Sequence, residues 1–150
     1  MAIEPKIELV LAELNRRLKA VYPRIPLQRG FFAEENTVWP SLYIIEDLET
    51  SDLDRTRKRG MYERTASVSI SYFFKGPTDL QDALHIANVE KFKLCTAIEL
   101  DDDFSGLCNH YREVEFDKIF YKSNGIQIAI EYSFEYSEES PWATANARRM

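Results

Sequence analysis

Glycine is scarce in this sequence, cysteine is scarcer, and no apolar run is long enough to cross a bilayer. The 5 glycines, Gly30, Gly60, Gly76, Gly106 and Gly125, stand far apart, each near a turn. A phosphate cradle needs several glycines within one loop, so neither the nucleoside-triphosphate loop nor the dinucleotide fingerprint can be written onto this chain. No cofactor is expected. Cys95 and Cys108 are the only cysteines, which is the usage of a cytoplasmic protein with reduced, partly buried thiols.

With His85 and His110 they complete the stock of soft metal ligands. Structural zinc sites bring ligands in close pairs on a turn. Here only Cys108 and His110 are near neighbours, and on a strand they would share one face. The expectation is two thiols, two ordinary histidines and no metal site. No nucleophile elbow marks a serine. Acidic runs such as Asp101 to Asp103 and Glu113, Glu115 and Asp117 read as solvated faces, so no catalytic residue is assigned and no enzyme is expected.

Positive charge is also in deficit. Lys and Arg number 19 against 25 Asp and Glu, a formal net charge of −6. Affinity for phosphates comes chiefly from Lys and Arg, which argues against a protein that coats nucleic acid. Residues Met1 to Lys6 lack the basic start and apolar run of a secretory signal, and no stretch approaches the ~20 apolar residues of a membrane span. Synthesis in the cytoplasm and no membrane partner are expected.

The 150 residues are the size of one domain, and 45% are hydrophobic and 13% aromatic. Such a domain removes roughly 68–70% of its unfolded surface from water and can build its own core. Ile7, Leu11, Leu14, Leu18 and Val21 recur at spacings of four and three, with Glu8, Glu13, Arg16, Arg17 and Lys19 on other faces. This predicts an amphipathic helix over about Glu4 to Tyr22, closed by Pro23 and Pro26. Phe31-Phe32 can begin a short strand, and Ser41 to Ile45 is a β-rich run apolar on both faces. Glu49 to Gly60 reads as a long exposed loop.

From Tyr62 to Phe74, Ala66, Val68, Ile70, Tyr72 and Phe74 alternate with Thr65, Ser67, Ser69 and Ser71, so one face is buried and the other wet. Thr78 to Gln81 has the form of a capping box and starts a second helix that runs to about Leu100. A strand follows around Tyr111 to Tyr121. Asn124-Gly125 signals a tight turn with positive φ at both residues, and the last strand alternates from Ile126 to Tyr136. The order is α-β(β)-β-α-β-β, and the expected fold class is α+β: a mostly antiparallel sheet of four to five strands packed by two helices. Residues 1–136 form the domain, and 137–150 are expected to be a flexible arm.

Two features point to a partner. Asp52 and Asp54 precede Arg55, Arg57, Lys58 and Arg59, a mixed-sign cluster suited to an acidic protein partner or to phosphates, with the protein partner favoured because no aromatics interleave it. In the second helix Leu80, Leu84, Ala87, Leu94, Cys95 and Ile98 form a stripe that docks on the sheet. Ile86, Val89 and Phe92 lie opposite, to be covered by the first helix, by a loop or by another subunit.

Together "IELVLAELNRRLKAVYP", "WPSLYIIEDLE", "DLDRTRKRG", "ASVSISYFF", "TDLQDALHIANVEKFKLCTAIEL" and "FDKIFYKSNGIQIAIEYSFEY" resemble the phage tail terminator and tail-completion family over residues 3 to 136. The resemblance implies a structural virion protein. It would form a homo-oligomeric, hexameric ring at the head-proximal end of the tail tube, touching the tube protein below and a neck or connector protein above. DNA would pass its acidic lumen without specific binding. The location implied is the host cytoplasm during assembly and then the virion tail. Another neck, connector or tube subunit, or a small binding module outside phage, is the alternative.

Overall fold

The computed structural model describes residues 4–30, 39–53 and 61–139. The chain runs α1 (Lys6–Val21), β1 (Leu27–Arg29), β2 (Ser41–Leu53), β3 (Met61–Lys75), α2 (Leu80–Ile98), β4 (His110–Phe120) and β5 (Gly125–Glu139). The five strands make one sheet in the order β1-β2-β3-β5-β4. Among the described residues only β1 pairs parallel, with β2, and the other pairings are antiparallel. This is the α+β class expected, with both helices on one face of the sheet.

Alternation in the two long central strands creates that face. Ala66, Val68 and Ile70 of β3 and Ile128, Ile130, Tyr132 and Phe134 of β5 are buried, joined by Leu42 and Ile44 of β2. Successive strand side chains point to opposite faces, so each of these lies on the helix side. In α1 the buried stripe is Val10, Leu11, Leu14, Arg17 and Leu18. Arg17 was expected on another face and is instead 2% exposed, while Val21, expected in the stripe, is exposed. The position i+3 from Leu14 falls on the apolar face whatever residue occupies it.

Arg17 is tolerated there because its charge is met on nearly every side. Its Nη1 donates to the Ile98 carbonyl at 2.7 Å, and its Nη2 donates to Asp101 Oδ2 at 3.0 Å and Ser105 Oγ at 2.9 Å. The guanidinium lies 4.2 Å from the Phe104 ring centroid. Ile98 is the last residue of α2, whose final turn has no basic residue of its own. A cation at a helix C-terminus satisfies a free carbonyl and the helix dipole together, and α1 supplies it. Asp101 also accepts the Phe104 and Ser105 amides, and the Tyr111 hydroxyl donates to the Asp101 carbonyl at 2.5 Å.

Several boundaries differ from expectation. Of the exposed loop predicted over Glu49 to Gly60, residues 49–53 are strand, since β2 continues to Leu53 and pairs with β3 as far as Leu53↔Tyr62; residues 54–60 lie outside the described residues. The polar composition of residues 49–53 reads as loop, but pairing with β3 holds them extended. The capping box does not form, for α2 starts after Asp79 and no side chain caps it. At the last hairpin only Asn124 takes positive φ (65°), and the connection is the longer one between Phe120 and Gly125. Gly125 is required for another reason: a Cβ there would sit 2.8 Å from the Trp39 ring. β5 runs to Glu139, so residues 137–139 are strand rather than arm. Phe31-Phe32 and residues 140–150 lie outside the described residues.

Among the described residues the second face of the sheet carries no helix. At one end Trp39 packs edge-on against Phe73 and Tyr121, and Tyr43 against Phe73, which leaves Ser71 and Gln127 buried. The expectation of a uniformly wet face fails there because aromatic residues from the connections fold over it. Toward the other end the rows read Ile45, Ser69, Glu131 and Glu115, then Leu48, Ser67, Ser133 and Arg112, then Thr50, Thr65, Glu135 and His110. Bulges at Asp47 and Val114 flank this region.

Two measurements test the packing. Replacing Arg17 with Met is expected to cost about 3 kcal/mol, because the Ile98 carbonyl and Asp101 lose a buried partner together. Arg17 and the Ser105 amide hold the Asp101 carboxyl below the usual carboxylate range. That contribution is complete above the unfolded value near ~4 and disappears as pH falls through the folded value. Urea titrations from pH 6 downward should therefore show an acid-labile component in the native protein that is smaller in the Met variant. Gly125→Ala must push Trp39 aside, with an expected loss of about 1–3 kcal/mol and a red shift in tryptophan emission.

Candidate functional site

α2 docks on the sheet through Ala83, Ala87, Leu94, Ala97 and Ile98. Alanines let the helix axis approach the β5 surface closely, and this differs from the expected stripe of Leu80, Leu84, Ala87, Leu94, Cys95 and Ile98. Leu80 is 60% exposed, and Leu84 and Cys95 are half-buried. A scan weighted by large apolar residues undervalues Ala83 and Ala97, which rotates the inferred stripe.

The outer residues then separate. Ile86 is half-buried and packs against the core, so the protein's own fold covers it. Val89 is 46% exposed and Phe92 75% exposed, one turn apart on the side of α2 away from the sheet. The Phe92 carbonyl accepts the Thr96 hydroxyl at 2.8 Å, beside the normal helix ladder. Polar contacts fix the flanks of the helix. Lys91 bridges to Glu113 of β4 at 2.7 Å, and Lys118 Nζ donates to Asn88 Oδ1 at 3.2 Å. On the opposite flank Lys93 lies 4.9 Å from the Tyr22 ring centroid. The Val89–Phe92 ridge is thus held on a helix anchored from both sides.

Of the mixed-sign cluster, Asp52 belongs to β2, and Asp54, Arg55, Arg57, Lys58 and Arg59 lie outside the described residues. The thiols and histidines do not come together as a pair: Cys108 is buried while His110 opens β4 on the helix-free face opposite Glu135. The reason is that Cys108 precedes the strand, its amide bonded to the Asp103 carbonyl. Burial pushes its thiol up to about 12, so it stays a neutral apolar filler. Burial also raises the Cys95 thiol, and buried Tyr132 donates its hydroxyl to Glu99 at 2.9 Å.

A cleft of about 270 Å³ separates α1 from β1 and β2, floored by Leu11, Ala12, Leu27 and Ile44. Arg29 closes one side through a two-point pair with Glu8 at 2.7 and 2.9 Å and a further pair with Glu46. The Arg29 hydrogen bonds lower the Glu8 carboxyl from its ordinary value. Two features here escaped the sequence reading, Arg17 and the acidic rows of the open sheet face. The first was visible as an arginine at a stripe position of α1, and the second required the strand register.

Fold and surface define an α+β domain with an anchored apolar ridge on the outer side of α2 and, among the described residues, a sheet face that carries no helix. No protein-family model matches the chain, and no curated protein matches its sequence.

The ridge and the stripe respond oppositely to substitution. Phe92→Asp is expected to change unfolding free energy by no more than about 0.5 kcal/mol, since the ring is mostly in water. Ala87→Leu should cost about 1–3 kcal/mol by overpacking the helix–sheet contact. Thermal or urea unfolding monitored by circular dichroism distinguishes the two.

Proposed function

We propose that the chain is a structural subunit of a phage tail, a tail terminator that assembles as a homo-oligomeric, hexameric ring on the tail tube and presents a surface to the neck. The observation that carries this reading is the exposure of Phe92 beside Val89 on a helix whose opposite side already serves the core. A large aromatic held outward on an anchored element has the character of an interface anchor, because burying it against a partner returns the free energy its exposure withholds. The fold class implied by the family resemblance is the one observed, which supports the reading.

The charge of the chain fits the same role. A net charge of −6 suits a lumen through which DNA passes without sticking. Asp52, Asp54, Arg55, Arg57, Lys58 and Arg59 fit a head-to-tail contact, where one face meets a different face of the next subunit and complementary charge sets register. The subunit would be made in the host cytoplasm and end in the virion tail.

Light scattering of the purified chain and cosedimentation with tail tubes test this. The native protein is expected to form a closed oligomer or to bind tube ends. Val89→Asp with Phe92→Asp, and separately Arg57→Glu with Lys58→Glu, are expected to leave a folded monomer that does neither. A native protein that stays monomeric at high concentration and ignores tubes overturns the proposal, as does tight duplex binding at physiological salt.

A further inference from the structure

The ridge on α2 and the cleft beside α1 belong to opposite ends of the helical layer. Lys91 and Asn88 tie α2 to Glu113 and Lys118 of β4, at one edge of the sheet. The cleft opens at the other edge, where β1 and β2 lie beneath α1. Between them stands α1, whose Arg17 and the following Tyr22 face α2 through Ile98 and Lys93. Phe92 therefore has no path to the cleft of its own chain. A second copy can present one to it.

Size and chemistry match. At about 270 Å³ the cleft falls below the roughly 300–1,000 Å³ of pockets that take drug-sized ligands and cofactors. It has the scale of one aromatic side chain. Leu11, Leu27 and Ile44 give it an apolar floor, and Ala12, exposed on α1, keeps its mouth open because the side chain is a single methyl. Phe92, at 75%, is the most exposed large apolar side chain among the described residues. It stands on a helix anchored from both flanks, so docking it orders little that is not already ordered.

The charges agree as well. At one end of the mouth two carboxylates, Glu8 and Glu46, share the single guanidinium of Arg29, which leaves that end one charge negative. Lys19 marks the other end, about three turns along α1. Beside Phe92, Lys93 meets the Tyr22 ring and no carboxylate among the described residues. A mouth with unlike ends accepts a neighbouring cation in one orientation, with its ammonium toward the carboxylates.

We infer that Phe92 of one copy seats in the cleft between α1 and β1 of the next, with Lys93 at the Glu8–Glu46 end. The inference rests on the assembly role proposed above and adds which surface the ridge meets. Ridge and cleft are different patches, so the contact is head-to-tail: every copy offers one of each, and repetition closes a ring or continues as a filament. An aromatic side chain held in an apolar pocket is the common form of an interface hot spot.

Each half of the contact can be removed by itself. Phe92→Ala takes away the ridge and keeps the cleft, whereas Ala12→Trp fills the cleft and keeps the ridge. Sedimentation velocity across a concentration series is expected to show self-association of the native chain and a weakening of roughly thirtyfold or more in each variant, as loss of a hot-spot contact gives. Mixed in equal amounts, the two variants are expected to form a one-to-one dimer and nothing larger, because only one complementary pair of surfaces remains. Circular dichroism confirms that each variant is folded; should Ala12→Trp not fold, Ala12→Glu, which places a charge in the cleft, takes its place. Cleft-variant association equal to native overturns the inference; when Phe92→Ala has lost association in the same assay, the assembly role of the ridge still stands. A mixture that stays monomeric, or that rebuilds the native oligomer, also overturns the inference. So does a native chain that remains monomeric, and if that chain still binds tube ends the tail reading survives.

Discussion

The buried guanidinium of Arg17 is the constraint around which the helical layer is arranged. An unpaired charge at 2% exposure would be strongly destabilising, so its partners must arrive together. They come from the end of α2, from the turn that follows it and from the Phe104 ring. The α2–β4 connection adopts positive φ at Phe104, Ser105 and Gly106. That path lets Asp101 receive the Phe104 and Ser105 amides while it faces Arg17. A single side chain of α1 therefore fixes where α2 stops and how the chain enters β4.

The sheet beneath responds to that layer. Its helix side is filled by alternating residues of β3 and β5, and the tyrosines of β5 and β4 carry their hydroxyls outward to acceptors at the rim. Tyr132 reaches Glu99, Tyr136 reaches Glu49 and Tyr111 reaches the Asp101 carbonyl. Burial raises the pKa of all three phenols, keeping them neutral donors. Buried aromatic bodies with satisfied hydroxyls give apolar burial and orientation from the same residue.

The two exposed surfaces arise from one asymmetry, since a two-layer fold leaves the outside of the helices and the far side of the sheet to solvent or partners. On α2 an apolar ridge remains outside because Ala83, Ala87, Leu94, Ala97 and Ile98 already complete the docking. On the sheet, the aromatic group around Trp39 closes one end, and the other presents carboxylates in opposition. Bulges at Asp47 and Val114 bend the outer strands beside it, a common means of blunting sheet edges against unwanted pairing.

Periodicity made the fold class, the two helices and the long strands legible in the sequence, because repeats of 3.6 and 2 report directly which face is apolar. The outward placement of Val89 and Phe92 was legible for the same reason. Ile86 was not separable from them, since its cover depends on where the neighbouring core lies. The expected loop over Glu49 to Gly60 became strand through Leu53 because pairing with β3 outweighs polar composition. The partners that meet Arg17, the place of Gly125 beneath Trp39, and Glu115 against Glu131 were decided by tertiary structure alone. Each depends on which distant residue is brought into contact, and local pattern carries no information about partners separated by long stretches of chain.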